Sequence, residues 1–139
     1  MPVTPANIDE TDRGTIVIAD DDPDVVALLR ERFVEAGYRV RTAHHGAEAI
    51  AVLQEERTPA AIFVDLMMPG VLGHSVLQFI QSEQRFATTP VAVVTGSPEL
   101  APAGFRVFAK PARFAMLLDY AQRPPAISRA ARGTITPIG

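Results

Sequence analysis

Ala60-Ala61-Ile62-Phe63-Val64-Asp65-Leu66-Met67-Met68-Pro69-Gly70-Val71-Leu72-Gly73 is the stretch on which the reading of this chain turns. Five apolar residues run without alternation into a single acid, Asp65, and Pro69, Gly70 and Gly73 then mark a turn. A short unbroken apolar run closed by turn residues predicts a strand buried on both faces, as in parallel sheets. Asp65 would sit where that strand leaves the core, and in open α/β sheets this carboxyl end is where ligands bind. Taken alone, Asp65 also reads as a turn former or helix cap, because Asp is among the commonest turn residues. The rest of the chain decides between the two.

Working outward, Thr15–Ala19 predicts a first strand that runs into Asp20-Asp21-Asp22-Pro23-Asp24. Asp22 before Pro23 is a helix start, with an N-cap acceptor and a proline at the first helical position. Val25, Leu28, Leu29, Phe33 and Ala36 keep helical spacing, and Gly37 supplies the stop. Tyr38–Thr42 alternates like a strand with one wet face. Ala47, Ile50 and Ala51 mark a second helix ending before Pro59, and Val76, Leu77, Phe79 and Ile80 mark a third. Val91–Thr95 and Phe105–Ala109 are the fourth and fifth strands, and Phe114, Leu117, Leu118 and Ala121 form the last helix. Strands alternating with helices imply right-handed βαβ units, hence a parallel sheet covered on both faces.

The chain is 139 residues long, enough for one domain with a real core. The expected organisation is a flexible acidic leader over 1–13, a folded domain over 14–122, and a basic, Pro-containing tail over 123–139, read as disordered. Net charge is −3, which gives no strong pull toward nucleic acid or anionic membrane. No cysteine is present, so disulfides and thiolate metal sites are excluded. No signal region opens the chain and no apolar run reaches membrane-spanning length, so a cytoplasmic protein is expected.

The strand ends of such a sheet share one edge, which would collect Asp20 and Asp21, Asp65, Thr95 and Lys110. Carboxylates held within ~5 Å repel by roughly 3 kcal/mol per pair at an effective dielectric near 20. A cation relieves that repulsion, and an all-oxygen ligand set at a phosphate-handling site suits Mg²⁺. Lys110 adds a mobile positive charge and Thr95 a hydroxyl, together suited to holding a transferred phosphoryl group. Asp22 reads more simply as a helix cap, and His44, His45 and His74 as solvated or loop-capping residues.

From Thr15 to about Ala121 the chain resembles a response-regulator receiver domain of the chemotaxis (CheY-like) type. The matching residues are Asp20-Asp21, Asp65 in Asp-Leu-Met-Met-Pro-Gly-Val-Leu-Gly, Thr95-Gly96 and Lys110-Pro111, each ending a predicted strand. The resemblance implies a flavodoxin-like, doubly wound, five-stranded parallel sheet of order 2-1-3-4-5. It implies that Asp65 takes a phosphoryl group from a histidine kinase or phosphotransfer protein, and that the domain catalyses its own phosphorylation and dephosphorylation. Asp21 would bind Mg²⁺ directly, Asp20 mainly through water, with Asp65 and the backbone carbonyl of Met67 as further ligands. Lys110 and the Thr95 hydroxyl would hold phosphoryl oxygens, and Gly96 would leave room for the group. The output would be switched binding of a downstream protein, with no direct nucleic-acid contact and no membrane insertion.

Other readings start from the same acids. Asp20, Asp22, Asp24 and Glu31 match EF-hand positions, but Val25 replaces the required glycine and Pro23 starts a helix inside the loop, which rejects a calcium site. A Mg²⁺-dependent phosphatase of the haloacid-dehalogenase type would use Asp20 and Asp22 and leave Asp65 unexplained. A non-catalytic interaction module on a receiver scaffold would keep the acids as relics. Two departures from the family concern output. Only nine residues, Gly96 to Gly104, join strands four and five, against the ~10–12 a helical crossover needs, so the fourth helix of the family is expected to be shortened or missing. The family's switch aromatic is replaced by Val107, with Phe105 and Phe108 on either side. A stand-alone receiver that signals by moving the 96–104 loop is expected, with Phe105 or Phe108 and the helix around Phe114 as its contact surface.

Overall fold

Three stretches carry no charge at all, Thr15–Ala19 (β1), Ala61–Val64 (β3) and Val91–Thr95 (β4), and every residue in them is buried. Arg39–Ala43 (β2) and Arg106–Ala109 (β5) each carry arginine and are only partly buried. This composition assigns the inner and outer places in a sheet, because a strand covered on both faces cannot hold an unpaired charge whereas an edge strand can. The computed structural model describes residues 12–70 and 73–122, and in it the order is β2-β1-β3-β4-β5 with every pairing parallel. This is the doubly wound, flavodoxin-like sheet expected from the sequence.

The helices are α1 (Pro23–Glu35), α2 (Gly46–Glu55), α3 (Gly73–Ser82) and α4 (Phe114–Gln122). Asp22 caps α1, accepting from the N–H groups of Asp24 at 2.9 Å and Val25 at 3.4 Å. Gly37, at φ 100°, turns the chain out of that helix in a conformation side-chain-bearing residues rarely adopt. At the start of α2, His45 Nδ1 accepts from the Glu48 N–H while Glu48 accepts from the His44 N–H, a reciprocal cap.

Two apolar layers sandwich the sheet. Val26, Leu29 and Phe33 of α1 and Leu117 and Ala121 of α4 pack on Ile16, Ile18, Phe63, Ala92, Val94 and Phe108. Phe33 anchors this layer, its ring 5.6 Å from that of Phe63 and 4.8 Å from that of Phe114. On the other face, Ala49, Val52 and Leu53 of α2 and Val76, Leu77 and Ile80 of α3 cover Val17, Ile62, Val64 and Val93. Truncating a fully buried aromatic such as Phe33 to alanine costs ~3–5 kcal/mol.

Between β4 and β5 only a single 3₁₀ turn forms, Pro98–Leu100, as the short connection required. Other expectations shift. β2 and β5 start one residue later than the pattern suggested, and Tyr38 turns into the core beside Phe33 instead of opening β2. Gly73, expected as a turn residue, is the first residue of α3. Phe108 is buried and Phe114 packs edge-on against Phe33, so Phe108 is not available as part of a contact surface. Asp12 and Arg13, the end of the expected leader, are pinned: Asp12 accepts from the Gly14 N–H and pairs with Arg39, and the Arg13 N–H donates to the Gly37 carbonyl at 3.1 Å. Residues 1–11 of the leader and the 123–139 tail lie outside the described residues. Among the described residues, no helix is long and apolar enough to cross a membrane.

Candidate functional site

Backbone ladders bring the acids together. The Asp20 N–H donates to the Ala43 carbonyl at 3.0 Å and the Asp65 N–H to the Ala19 carbonyl at 2.8 Å, so both acids leave neighbouring strands at the same level. One carboxylate oxygen from each of Asp20, Asp21 and Asp65 falls within a cluster no wider than 4.8 Å. Asp20 and Asp65 are only 3% and 5% exposed, while Asp21 is exposed to solvent. Asp22, by contrast, spends its carboxylate on capping α1.

Lys110 arrives from β5. Its N–H donates to the Thr95 carbonyl at 2.9 Å, which closes the ladder, and its Nζ reaches Asp20 Oδ2 at 2.7 Å and Asp65 Oδ2 at 3.0 Å. The peptide bond to Pro111 is cis. The other carboxylate oxygens are also occupied, Asp20 Oδ1 by the Asp22 N–H at 2.9 Å and Asp65 Oδ1 by the Met67 N–H at 3.3 Å. Burial pushes the Asp20 carboxyl above its ordinary range, and the bonds from Lys110 and the Asp22 N–H only partly oppose this. Burial works the other way on Lys110, but its bonds to Asp20 and Asp65 outweigh it and raise the ammonium above its usual value.

Thr95 is fully buried at the end of β4, and its Oγ1 accepts from the Ser97 N–H at 3.1 Å. Gly96 follows, and a Cβ built there would meet nothing within 4 Å. Gly73 is the opposite case. A Cβ there would lie 2.3 Å from the Asp65 carbonyl oxygen and 2.7 Å from the Leu66 Cα, so α3 can seat itself against the acid-bearing loop only with glycine at its first position. That contact was not legible in the sequence, where Gly73 differs in no way from an ordinary turn glycine. Ser97 and His74, whose Nε2 lies 3.0 Å from the Leu100 carbonyl oxygen, were likewise not singled out for this site.

The donor set suits a hard divalent cation. Three carboxylates converge with no sulfur or imidazole among them, and charge repulsion is relieved by Lys110 on one side only. Asp20, Asp21 and Asp65 are the residues that would hold it. Met67, two residues past Asp65, has a half-exposed side chain and offers its N–H to Asp65.

The model of the response regulator receiver domain matches residues 16–112. Protein Rrf1 of Nitratidesulfovibrio vulgaris is 30% identical over 122 residues, covering 86% of this chain and 86% of its own length. Transcriptional regulatory protein GltR of Pseudomonas aeruginosa is 36% identical over 85 residues, or 61% of this chain. The aligned part is only 35% of GltR, so this chain spans about a third of that relative. Among solved structures, the receiver domain of sensor histidine kinase PA1611 from Pseudomonas aeruginosa superposes with a TM-score of 0.71 at 24% identity, covering 79% of this chain and 95% of that one; it has a magnesium ion coordinated in its active-site cleft.

Proposed function

This chain belongs to the response regulator receiver family, and on that premise we propose that it is a phosphoacceptor in which Asp65 takes a phosphoryl group from a histidine kinase or phosphotransfer protein. The observation that carries the reading is the convergence of Asp20, Asp21 and Asp65 within 4.8 Å, with Lys110 bridging two of them. A structural ion pair needs one acid and one base, and a third, exposed acid adds only repulsion. The arrangement makes sense where a cation and a phosphoryl group are to be received.

In the reaction an Asp65 carboxylate oxygen attacks phosphorus, the phosphorus–nitrogen bond of the donor phosphohistidine breaks, and the electron pair returns to the imidazole nitrogen. The product is a mixed anhydride at Asp65, and water attacking that phosphorus later releases phosphate and restores the carboxylate. Asp20, Asp21 and Asp65, with the Met67 carbonyl as a further ligand, would hold Mg²⁺, which when bound would neutralise charge on the phosphoryl oxygens. Lys110 exchanges its bond to Asp65 Oδ2 for one to a phosphoryl oxygen and stays tethered to Asp20. Thr95 offers its hydroxyl to another, and the open space at Gly96 admits the group. Binding of a downstream protein is the output, and a cytoplasmic setting, without direct nucleic-acid contact or membrane insertion, goes with it.

Phosphotransfer from candidate histidine kinases, and labelling by a small acyl phosphate, test this directly. Wild type should be labelled only with Mg²⁺ present, and Asp65→Asn not at all. Equal labelling of Asp65→Asn would move the acceptor elsewhere, and a wild type that no donor labels would favour a non-catalytic interaction module.

A further inference from the structure

The first turn of α3 touches both ends of the site. Gly73 presses on the Asp65 carbonyl with no room for a Cβ, and its N–H donates to the Leu66 carbonyl at 3.0 Å, so this turn is fixed relative to the acids. The next residue, His74, holds the Leu100 carbonyl at 3.0 Å. That carbonyl can only accept, so Nε2 carries the hydrogen. Leu100 closes the 3₁₀ turn, its N–H donating to the Ser97 carbonyl at 3.0 Å, and the Ser97 N–H donates in turn to Thr95 Oγ1. One chain of hydrogen bonds therefore runs from the fixed post at Gly73-His74 through Leu100 and Ser97 to the buried threonine hydroxyl. The turn itself lies at the surface: Pro98, Glu99 and Leu100 are exposed, a Cβ at Gly96 would meet nothing within 4 Å, and Ala101 just beyond rests half-buried against the α2–α3 layer.

We propose that His74 is a latch that holds the Ser97–Leu100 turn in the resting arrangement and so opposes the switch of Thr95 toward a phosphoryl group on Asp65. The proposal rests on the phosphoacceptor reading. When Thr95 turns to the phosphoryl group it gives up the Ser97 N–H, the turn is released at that end, and the His74–Leu100 bond still holds the exposed turn at its other end and must yield for it to move. A bond made in the resting state and lost in the switched one biases the equilibrium by its own net strength. His74 is a positioning residue here, exposed and outside the acid cluster, and its loss should favour switching rather than impair it.

The test measures the affinity of the full chain, with Mg²⁺, for beryllofluoride, read as the bound fluorine signal by NMR, alongside amide exchange over residues 96–104. His74→Ala should bind beryllofluoride about two- to ten-fold more tightly, the factor that one net hydrogen bond allows. Its 96–104 amides should exchange faster than wild type before beryllofluoride is added. His74→Gln, which keeps a side-chain N–H donor, should return both toward wild type. Equal or weaker binding by His74→Ala overturns the latch even if the loop exchanges faster, because the bond would then be merely structural. Failure of the Gln variant to restore the wild-type affinity overturns it as well. Absence of a bound fluorine signal in wild type overturns the phosphoacceptor reading, and the latch with it, a result distinct from a signal that is present but insensitive to His74.

Discussion

The two halves of the strand-end edge are built to different tolerances. On the acid half, Asp20 and Asp65 donate backbone bonds to neighbouring strands and are almost wholly buried, and α3 is pressed against the Asp65–Leu66 backbone at Gly73. On the Thr95 half, the chain leaves β4 into a segment with one exposed 3₁₀ turn, tied by hydrogen bonds of Ser97 to Thr95 and of His74 to Leu100, before Ala101 returns to the core. Regions with few buried contacts open at low free-energy cost, whereas packed ones open only with the whole domain. The difference teaches where chemistry and response are divided: the acids proposed to react sit on the tightly packed half, and the lightly held half begins at the threonine proposed to switch.

The largest effect should come from the fixed half. Asp65→Asn should lose phosphoryl acceptance entirely while the domain stays folded, because the amide relieves repulsion from Asp20 and Asp21 as it gives up the bond to Lys110. Circular dichroism and labelling of the same sample check both parts. Gly73→Ala comes next. A methyl group 2.3 Å from a backbone oxygen has no flexible side chain to push aside, so the seat of α3 must shift, at a cost of about 3 kcal/mol. A denaturant midpoint lowered at unchanged slope measures it. A variant as stable as wild type would show that the acid half is not rigid, and the contrast between the halves would fail.

A smaller effect tests whether the buried acid belongs to a cation site. Asp20 has a folded-state pKa raised above the ordinary carboxylate value of 3.8, chiefly by burial. The sign follows from linkage: such a group contributes stability that is fully present below its unfolded pKa and lost as pH rises through the folded value. A cation that takes the place of the proton acts in reverse. The stabilisation by Mg²⁺, about 1.4 kcal/mol at ten times its dissociation constant, should therefore shrink as pH falls toward the carboxylate range and be full at neutral pH. Melting temperatures with and without Mg²⁺ across that range check it. A shift independent of pH, or one that survives Asp21→Ala, would place the cation away from this cluster.

The fixed half is also the half that the sequence revealed. Uncharged strands such as Thr15–Ala19 and Ala61–Val64 can occupy only the middle of a parallel sheet, so the placement of Asp20 and Asp65 followed from apolar runs alone. The Asp22-Pro23 cap was equally legible because capping is a local matter, settled within a few residues. Contacts that depend on how an element is seated were not legible. Gly73 against the Asp65 carbonyl and His74 on Leu100 join residues by tertiary packing, and neither spacing nor residue type encodes it. The nine-residue β4–β5 segment foretold a missing helix by its length, but not that Phe108 would turn inward beneath Arg106, whose guanidinium lies 4.5 Å from the ring centre. Three residues apart, the two aromatics serve opposite layers, Phe108 buried in one and Phe105 half-buried against the other, and alternation alone does not say how deeply each is taken.

The smallest predicted effect sharpens the comparison most directly, because it repeats the glycine-to-alanine change on the loose half. Gly96 has no atom within 4 Å of the position a Cβ would take, and its φ lies outside the left-handed region that disfavours side chains. Alanine there strains nothing in the folded state and restricts the unfolded chain, so stability should be unchanged or higher by about 0.5 kcal/mol. On the phosphoacceptor reading, the open space at Gly96 is what admits the phosphoryl group, and the same methyl group would narrow it. Gly96→Ala should therefore slow labelling by a small acyl phosphate while the denaturant midpoint stays put or rises. That pairing cannot come from general destabilisation. A loss of stability beyond about 1 kcal/mol, well outside the range for an unstrained site, would mean that the segment after Thr95 is as tightly seated as α3, and that the half assigned to movement is not free to move.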